Sequence, residues 1–322
     1  KMDKLKQELR DYYINFRAGD IEKTVPEPDR AAREKIIADM DNFLAANTDI
    51  DPSLLKARLY EEIADNFVPK IFPHSPFFYE MGMRSSEHWG IPLDTFCQPA
   101  SWMHNHFRPL LTDTPERAGF QTLNLHSRLE GVPVLWTGSV GFDEDHHCLG
   151  YTMLLRSGIN GILKRIAAKS ELSPELEAME KGCRALLRVA TRFREEALRM
   201  LETETEPEVI ENLRLIADAA TRIPAEPPRT FYEGLAMMWF LREVVASLDS
   251  IGISVIGHPD RLLIDLYNAD LEAGRITGDK ARKLLAQWML PNDVKTFARE
   301  REWPETSTCM MLGGCDRDGN PV

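Results

Sequence analysis

Helical hydrophobic periodicity runs through most of this chain but fades between residues 68 and 160, and any fold has to accommodate both regimes. Before the interruption, Ala31 to Ala46 carries Ile36, Ile37, Met40, Phe43 and Leu44 at helical spacing. Asp51-Pro52-Ser53 then supplies a break and a cap for a helix over Leu54–Phe67, with Leu54, Leu55, Leu59 and Ile63 on one side. The interruption is rich in proline, glycine, histidine and aromatic residues, and short strands are expected at Phe120–Leu125 and Val132–Trp136. A loop-rich stretch between helical blocks is a natural place for a binding surface. Helix is expected again from Leu172, where Ser173-Pro174-Glu175 reads as a start with proline in the first turn. Further helices are expected over Pro207–Arg222, Thr230–Leu248, Pro259–Leu271 and Thr277–Leu290, with Gly274 a stop and Thr277 a cap between the last two. Thr308–Met311 reads as a strand running into the glycines of Leu312-Gly313-Gly314. The chain then finishes at Asn320-Pro321-Val322 with no closing element, which leads us to expect an incomplete domain, because a terminal strand needs a partner.

Charge and cysteine content narrow the function classes. The net charge of −12 over 322 residues argues against nucleic acid or an anionic membrane as main partner. No apolar run approaches the roughly 18 residues that span a bilayer. Cys97, Cys148, Cys183, Cys309 and Cys315 are odd in number, widely spaced and without a CxxC pair, so neither a disulfide framework nor a zinc ribbon is indicated. A reducing cytoplasm is the expected location.

Three segments carry more chemistry than composition does. The first is Pro227-Pro228-Arg229-Thr230-Phe231-Tyr232-Glu233-Gly234-Leu235, leading into an apolar helix with Trp239-Phe240-Leu241. Thr230 can cap that helix and Arg229 can anchor its approach. The second runs from Gly252-Ile253-Ser254-Val255 through Gly257-His258-Pro259-Asp260-Arg261-Leu262-Leu263 and Tyr267 to Asp270-Leu271-Glu272-Ala273-Gly274-Arg275-Ile276-Thr277. Ser254 lies among apolar residues and glycines from Ile251 to Gly257, a buried strand by pattern, where a hydroxyl must bond either the backbone or a ligand. The third is Leu312-Gly313-Gly314 followed by Asp316-Arg317-Asp318-Gly319, and a weaker one is Gly158-Ile159-Asn160-Gly161-Ile162.

In order and approximate spacing these segments resemble glycyl-radical enzymes of the pyruvate formate-lyase type. The resemblance implies an α/β fold, with this chain forming the predominantly helical N-terminal part of a ten-stranded α/β barrel. Residues 1–322 would be a partial pyruvate formate-lyase domain without the catalytic cysteine loop and the C-terminal glycyl-radical domain, and inert alone. The complete enzyme would be a lyase, acyltransferase or decarboxylase cleaving C–C or C–X bonds in a small organic substrate. It would bind no cofactor directly. Its glycyl radical would be installed by a separate activating enzyme that uses S-adenosylmethionine and an iron–sulfur cluster, in an anaerobic cytoplasm, and the complete enzyme would be a homodimer. By the same resemblance Ser254 faces the substrate. Ile253 and Phe142 stand at or near positions where diol-dehydrating relatives have histidines, which favours a less polar or aromatic substrate. His258 replaces a usual arginine. Gly314-Cys315-Asp316 superficially resembles the catalytic cysteine loop, but the residues after it fit the Leu-Gly-Gly loop better, so no catalytic residue is assigned within the chain.

Two other classes compete. His104, His106, His126 and the run Asp143-Glu144-Asp145-His146-His147 offer imidazole and carboxylate ligands for a metal-dependent hydrolase. Against it, the histidines lack the i, i+4 helical pairing, and adjacent histidines in a polar loop are more often solvent-exposed, so no metal is assigned. A non-catalytic helical scaffold, with Met237, Met238 and Trp239 forming a partner groove, is the third reading.

Overall fold

The computed structural model describes residues 2–15, 27–78, 80–81, 147–248, 254–296, 310–315 and 320. In chain order these form α1 (Met2–Asn15), α2 (Glu27–Ala46), α3 (Pro52–Asn66), β1 (His147–Cys148), α4 (Tyr151–Ala167), α5 (Pro174–Leu201), α6 (Pro207–Ala219), α7 (Phe231–Leu248), β2 (Ser254–Val255), α8 (Pro259–Glu272) and α9 (Gly278–Thr296). The strands expected at 120–125 and 132–136 lie outside the described residues.

The local signals place the helices well. The Asp51 carboxylate accepts from Ser53 N–H at 2.8 Å and Pro52 opens α3; Ser173 accepts from Leu176 N–H and Pro174 opens α5. Two boundaries differ most from expectation. Helix resumes at Tyr151 rather than Leu172, and α9 runs on through Pro291 to Thr296 rather than stopping at Leu290. The first difference has a backbone cause. Gly158 sits at φ 60°, ψ 176° and divides α4 into two short turns of helix, which breaks the periodicity a single helix would show. The second half starts afresh at Ile159, with Ile159 N–H and Asn160 N–H donating to the carbonyls of Pro224 and Ala225 at 2.9 Å each. A Cβ on residue 158 would overlap the Ala225 carbonyl, so both the dihedral and the space demand glycine.

The core gathers around α7. Leu235 to Phe240 are buried without interruption, as expected of a helix packed on several sides. α5 lays Val189, Ala190, Phe193 and Ala197 against α3 and α6. Between these layers runs the chain that follows α3, the first part of the loop-rich stretch. Phe67, Phe77, Phe78, Glu80 and Met81 are buried there. Phe78 meets Phe193 and Phe240 with ring centroids 5.5 Å away in each case, and Phe77 stacks on Tyr232. Tyr232 donates its hydroxyl to Pro76 O at 2.6 Å, and burial pushes its pKa up. The segment's polar groups are met inside the fold: Lys70 binds the buried Asp29 at 2.7 Å, and Met81 N–H donates to the buried Glu243. α1 docks with Leu5 and Leu9 fully buried, with Glu8 against the His74 ring and with an ion pair from Lys4 to Glu206.

β1 and β2 pair in parallel, His147 opposite Ser254 and Cys148 opposite Val255. Gly257 makes a further parallel bridge to Met310. Parallel pairs need long crossovers, and here the crossovers are helical: α4 to α7 for the first, α8 and α9 for the second. The backbone of His147 therefore lies in a strand rather than in a loop.

Candidate active-site strands

The site region is assembled from the two longest motifs, and their meeting explains why both exist. Thr230 Oγ1 accepts from Glu233 N–H at 3.1 Å, while Glu233 accepts from Arg229 N–H at 2.6 Å and from the Arg229 guanidinium at 3.2 Å. That arrangement caps α7 much as a capping box does. One free N–H at this terminus, that of Phe231, is taken by Asp270 Oδ2 at 2.8 Å, from the far end of α8. Asp270 Oδ1 accepts from Arg275 Nε at 2.7 Å, and the carboxylate is only 4% exposed. The Asp-Leu-Glu-x-Gly-x-Ile-Thr turn and the Pro-Arg-Thr-Phe helix start are thus two halves of one polar joint. Tyr267 packs edge-on against Phe231, ring centroids 5.4 Å apart, and Gly234 lets α8 approach so closely that a Cβ would press on Leu263 and Leu266.

This joint fixes α7, which leads toward β2, and α8, which leaves it. Between β2 and α8, Gly257 turns at φ 75°, and its carbonyl accepts from Met311 N–H at 2.8 Å. The segment 310–315 then passes the start of α8. Asp260 Oδ2 accepts from Gly313 N–H at 2.6 Å, and Arg261 Nη2 donates to Gly313 O at 2.8 Å. Gly313 and Gly314 stand at φ 70° and 92°. Burial works to raise the pKa of the Asp260 carboxyl, but the N–H groups of Gly313 and Arg261, with the charges of His258 and Arg261, outweigh it and hold the group below its ordinary value. Its contribution is therefore present above the ordinary carboxylate range and lost as the pH falls through the folded-state value. His258 Nδ1 lies 3.9 Å from Asp260 Oδ1 without a hydrogen bond, so the histidine gives this carboxylate at most a weak ionic neighbour.

Beside this loop a largely apolar cavity of about 330 Å³ opens between α8 and α9, walled by Phe231, Leu263, Tyr267, Trp288, Met310 and Leu312.

Of the residues singled out by sequence, Ser254 has its backbone in β2, level with residue 147. Ile253, Phe142, His104, His106, His126 and His146 lie outside the described residues. Cys315 is exposed at the end of the glycine segment. Among the described residues no group of three or more histidine, cysteine or acidic side chains could hold a metal ion. Met237, Met238 and Trp239 are core rather than groove. Sequence reasoning missed the grip of Asp260 and Arg261 on Gly313. The signal available was an acidic residue in the first turn of a helix and a paired glycine at a strand end, and nothing local says that they meet.

A family model described as Pyruvate formate lyase-like matches residues 140–322, more than half of the chain. The trans-4-hydroxy-L-proline dehydratase of Clostridioides difficile is 31% identical over 137 residues, which is 41% of this chain and 17% of the relative. The isethionate sulfite-lyase of Nitratidesulfovibrio vulgaris is 31% identical over 148 residues, 42% of this chain and 18% of the relative. The solved structure of a glycyl radical enzyme from Archaeoglobus fulgidus superposes with a TM-score of 0.70 at 16% identity, over 98% of this chain and 44% of its own. The chain thus spans less than half the length of the proteins it matches.

Proposed function

Because the chain belongs to the pyruvate formate lyase-like family, we propose that it builds the helical shell and opening strands of a ten-stranded α/β barrel in a glycyl-radical lyase. The enzyme would break a carbon–carbon or carbon–heteroatom bond in a small organic substrate. The observation that supports this reading is the parallel set formed by β1, β2 with Gly257, and Met310, joined by helical crossovers, an arrangement compatible with an α/β barrel. It is favoured by relatives that include a dehydratase and a sulfite-lyase.

In this reading Ser254 donates a hydrogen bond to a carboxylate or hydroxyl of the substrate, and Ile253 and Phe142 supply apolar wall. The radical, stored on a glycine and installed by an activating enzyme of the radical S-adenosylmethionine class, supplies hydrogen-atom abstraction. The part of this chain is to bind, to orient and to keep water away from the reacting atoms. Cys315, whose surroundings fit the Leu-Gly-Gly loop better than a catalytic cysteine loop, is given no part in the chemistry in this reading. A homodimer in an anaerobic cytoplasm completes the proposal; no helix among the described residues is long and apolar enough to cross a membrane.

The test is electron paramagnetic resonance on the intact protein after anaerobic incubation with such an activating enzyme, S-adenosylmethionine and a reductant. An organic radical of glycyl type that disappears on exposure to air is expected. A silent spectrum together with turnover that is abolished by a chelator and restored by zinc would replace the radical reading with the hydrolase.

A further inference from the structure

The strands that carry the candidate site contain little that would choose their register. β2 is two residues long, Gly257 stands at positive φ, and the segment it meets runs from Met310 into two glycines at positive φ. Glycine-rich strands specify pairing weakly, and a slip of one residue sends every side chain to the opposite face. The register must therefore be set from outside the strands.

The start of α8 supplies such a reference. Asp260 and Arg261 take both polar backbone groups of one residue, the carboxylate accepting the Gly313 N–H at 2.6 Å and the guanidinium donating to the Gly313 carbonyl at 2.8 Å. Gly313 presents both groups at φ 70°, a conformation that glycine adopts without strain. A one-residue slip in one direction would put Leu312 there, at a steric cost that glycine does not have. Three residues earlier, Met310 bridges Gly257, and Met311 N–H donates to the Gly257 carbonyl. The grip and the strand pairing thus lie within a few residues of each other on both segments.

We propose that Asp260 and Arg261 are positioning residues, which by holding both the N–H and the C=O of Gly313 set the register of residues 310–313 against Gly257 and so hold β2, the strand that carries Ser254, in place. The proposal rests on the barrel reading only for the role of Ser254. The register claim concerns the strands themselves and stands or falls separately from the radical measurement.

The experiment is amide-resolved hydrogen exchange and backbone resonance assignment on the chain with wild-type sequence, Asp260→Ala and Asp260→Asn. Alanine removes the acceptor, whereas asparagine keeps a neutral one. In Asp260→Ala the amides of Gly313 and Met311 are expected to exchange at least about tenfold faster, with shifted resonances at Ser254 to Ile256, while Leu262 to Leu266 within α8 keep their protection. Asparagine is expected to restore much of the Met311 protection. Should the alanine variant not fold, Arg261→Met removes the other arm and is expected to give the same pattern at Met311 and β2. A variant in which Gly313 alone is freed, with Met311 and β2 unchanged, would overturn the proposal. So would one in which α8 unravels along with them, because the side chain would then be serving only its own helix.

Discussion

Two side chains near the candidate site show how differently a polar residue can serve. Asp270 is structural: its two oxygens are occupied by Phe231 N–H and Arg275, and it ties α8 to the start of α7. Ser254 is the opposite case in our reading, a hydroxyl spent on the ligand. The two roles give different mutants. Ser254→Ala is expected to weaken kcat/KM by the worth of one hydrogen bond, roughly 0.5–1.5 kcal/mol, or about 1.5–3 if the substrate group is charged. Unfolding free energy should barely move, since alanine leaves a small void and no orphaned donor. Paired kinetics and denaturation of wild type and variant decide the matter. A loss of stability with unchanged kinetics would return Ser254 to the fold.

At the scale of elements, α4 is the clearest instance of a helix defined by its break. Gly158 holds a backbone conformation that other L-residues rarely adopt, and the turn 224–226 packs where its Cβ would be. Gly158→Ala should therefore cost at least the roughly 1–3 kcal/mol typical of backbone strain, with overlap against the Ala225 carbonyl in addition. Denaturant unfolding would register this as a lower midpoint with an unchanged slope. Gly278→Ala, at the start of α9 at ordinary φ, is the comparison: there an added Cβ meets nothing within 4 Å. If the two variants were equally stable, the break would not be the reason for the glycine.

For the molecule as a whole, apolar surface stays open on the α8–α9 side. Ile264, Met289 and Leu312 line the cavity there and are 45%, 46% and 68% exposed, and Met311 beside them is 58% exposed. Contiguous apolar surface of this kind binds hydrophobic dyes and promotes association. The chain of residues 1–322 is expected to enhance the fluorescence of anilinonaphthalene sulfonate and to scatter light as a species larger than a monomer at low micromolar concentration. Leu312→Asn should reduce both signals. A monodisperse monomer without dye binding would show that this surface is covered.

The sequence by itself determined what neighbouring residues can settle among themselves. Asp51 and Ser173 cap, prolines open helices, Thr230 and Glu233 close the α7 start, and Gly257 and Gly313 turn the chain, all through contacts within a few positions. The order of its motifs also carried the family. Tertiary structure alone decided the partners that lie far apart: Asp270 with Phe231, Asp260 with Gly313, and residue 147 level with residue 254. It alone turned Phe77 and Phe78 inward, because their aromatic faces find Tyr232, Phe193 and Phe240 only once α5 and α7 have packed. Capping and backbone sterics act over one turn of chain, whereas burial and register depend on which surfaces meet, and that information is spread over the whole fold.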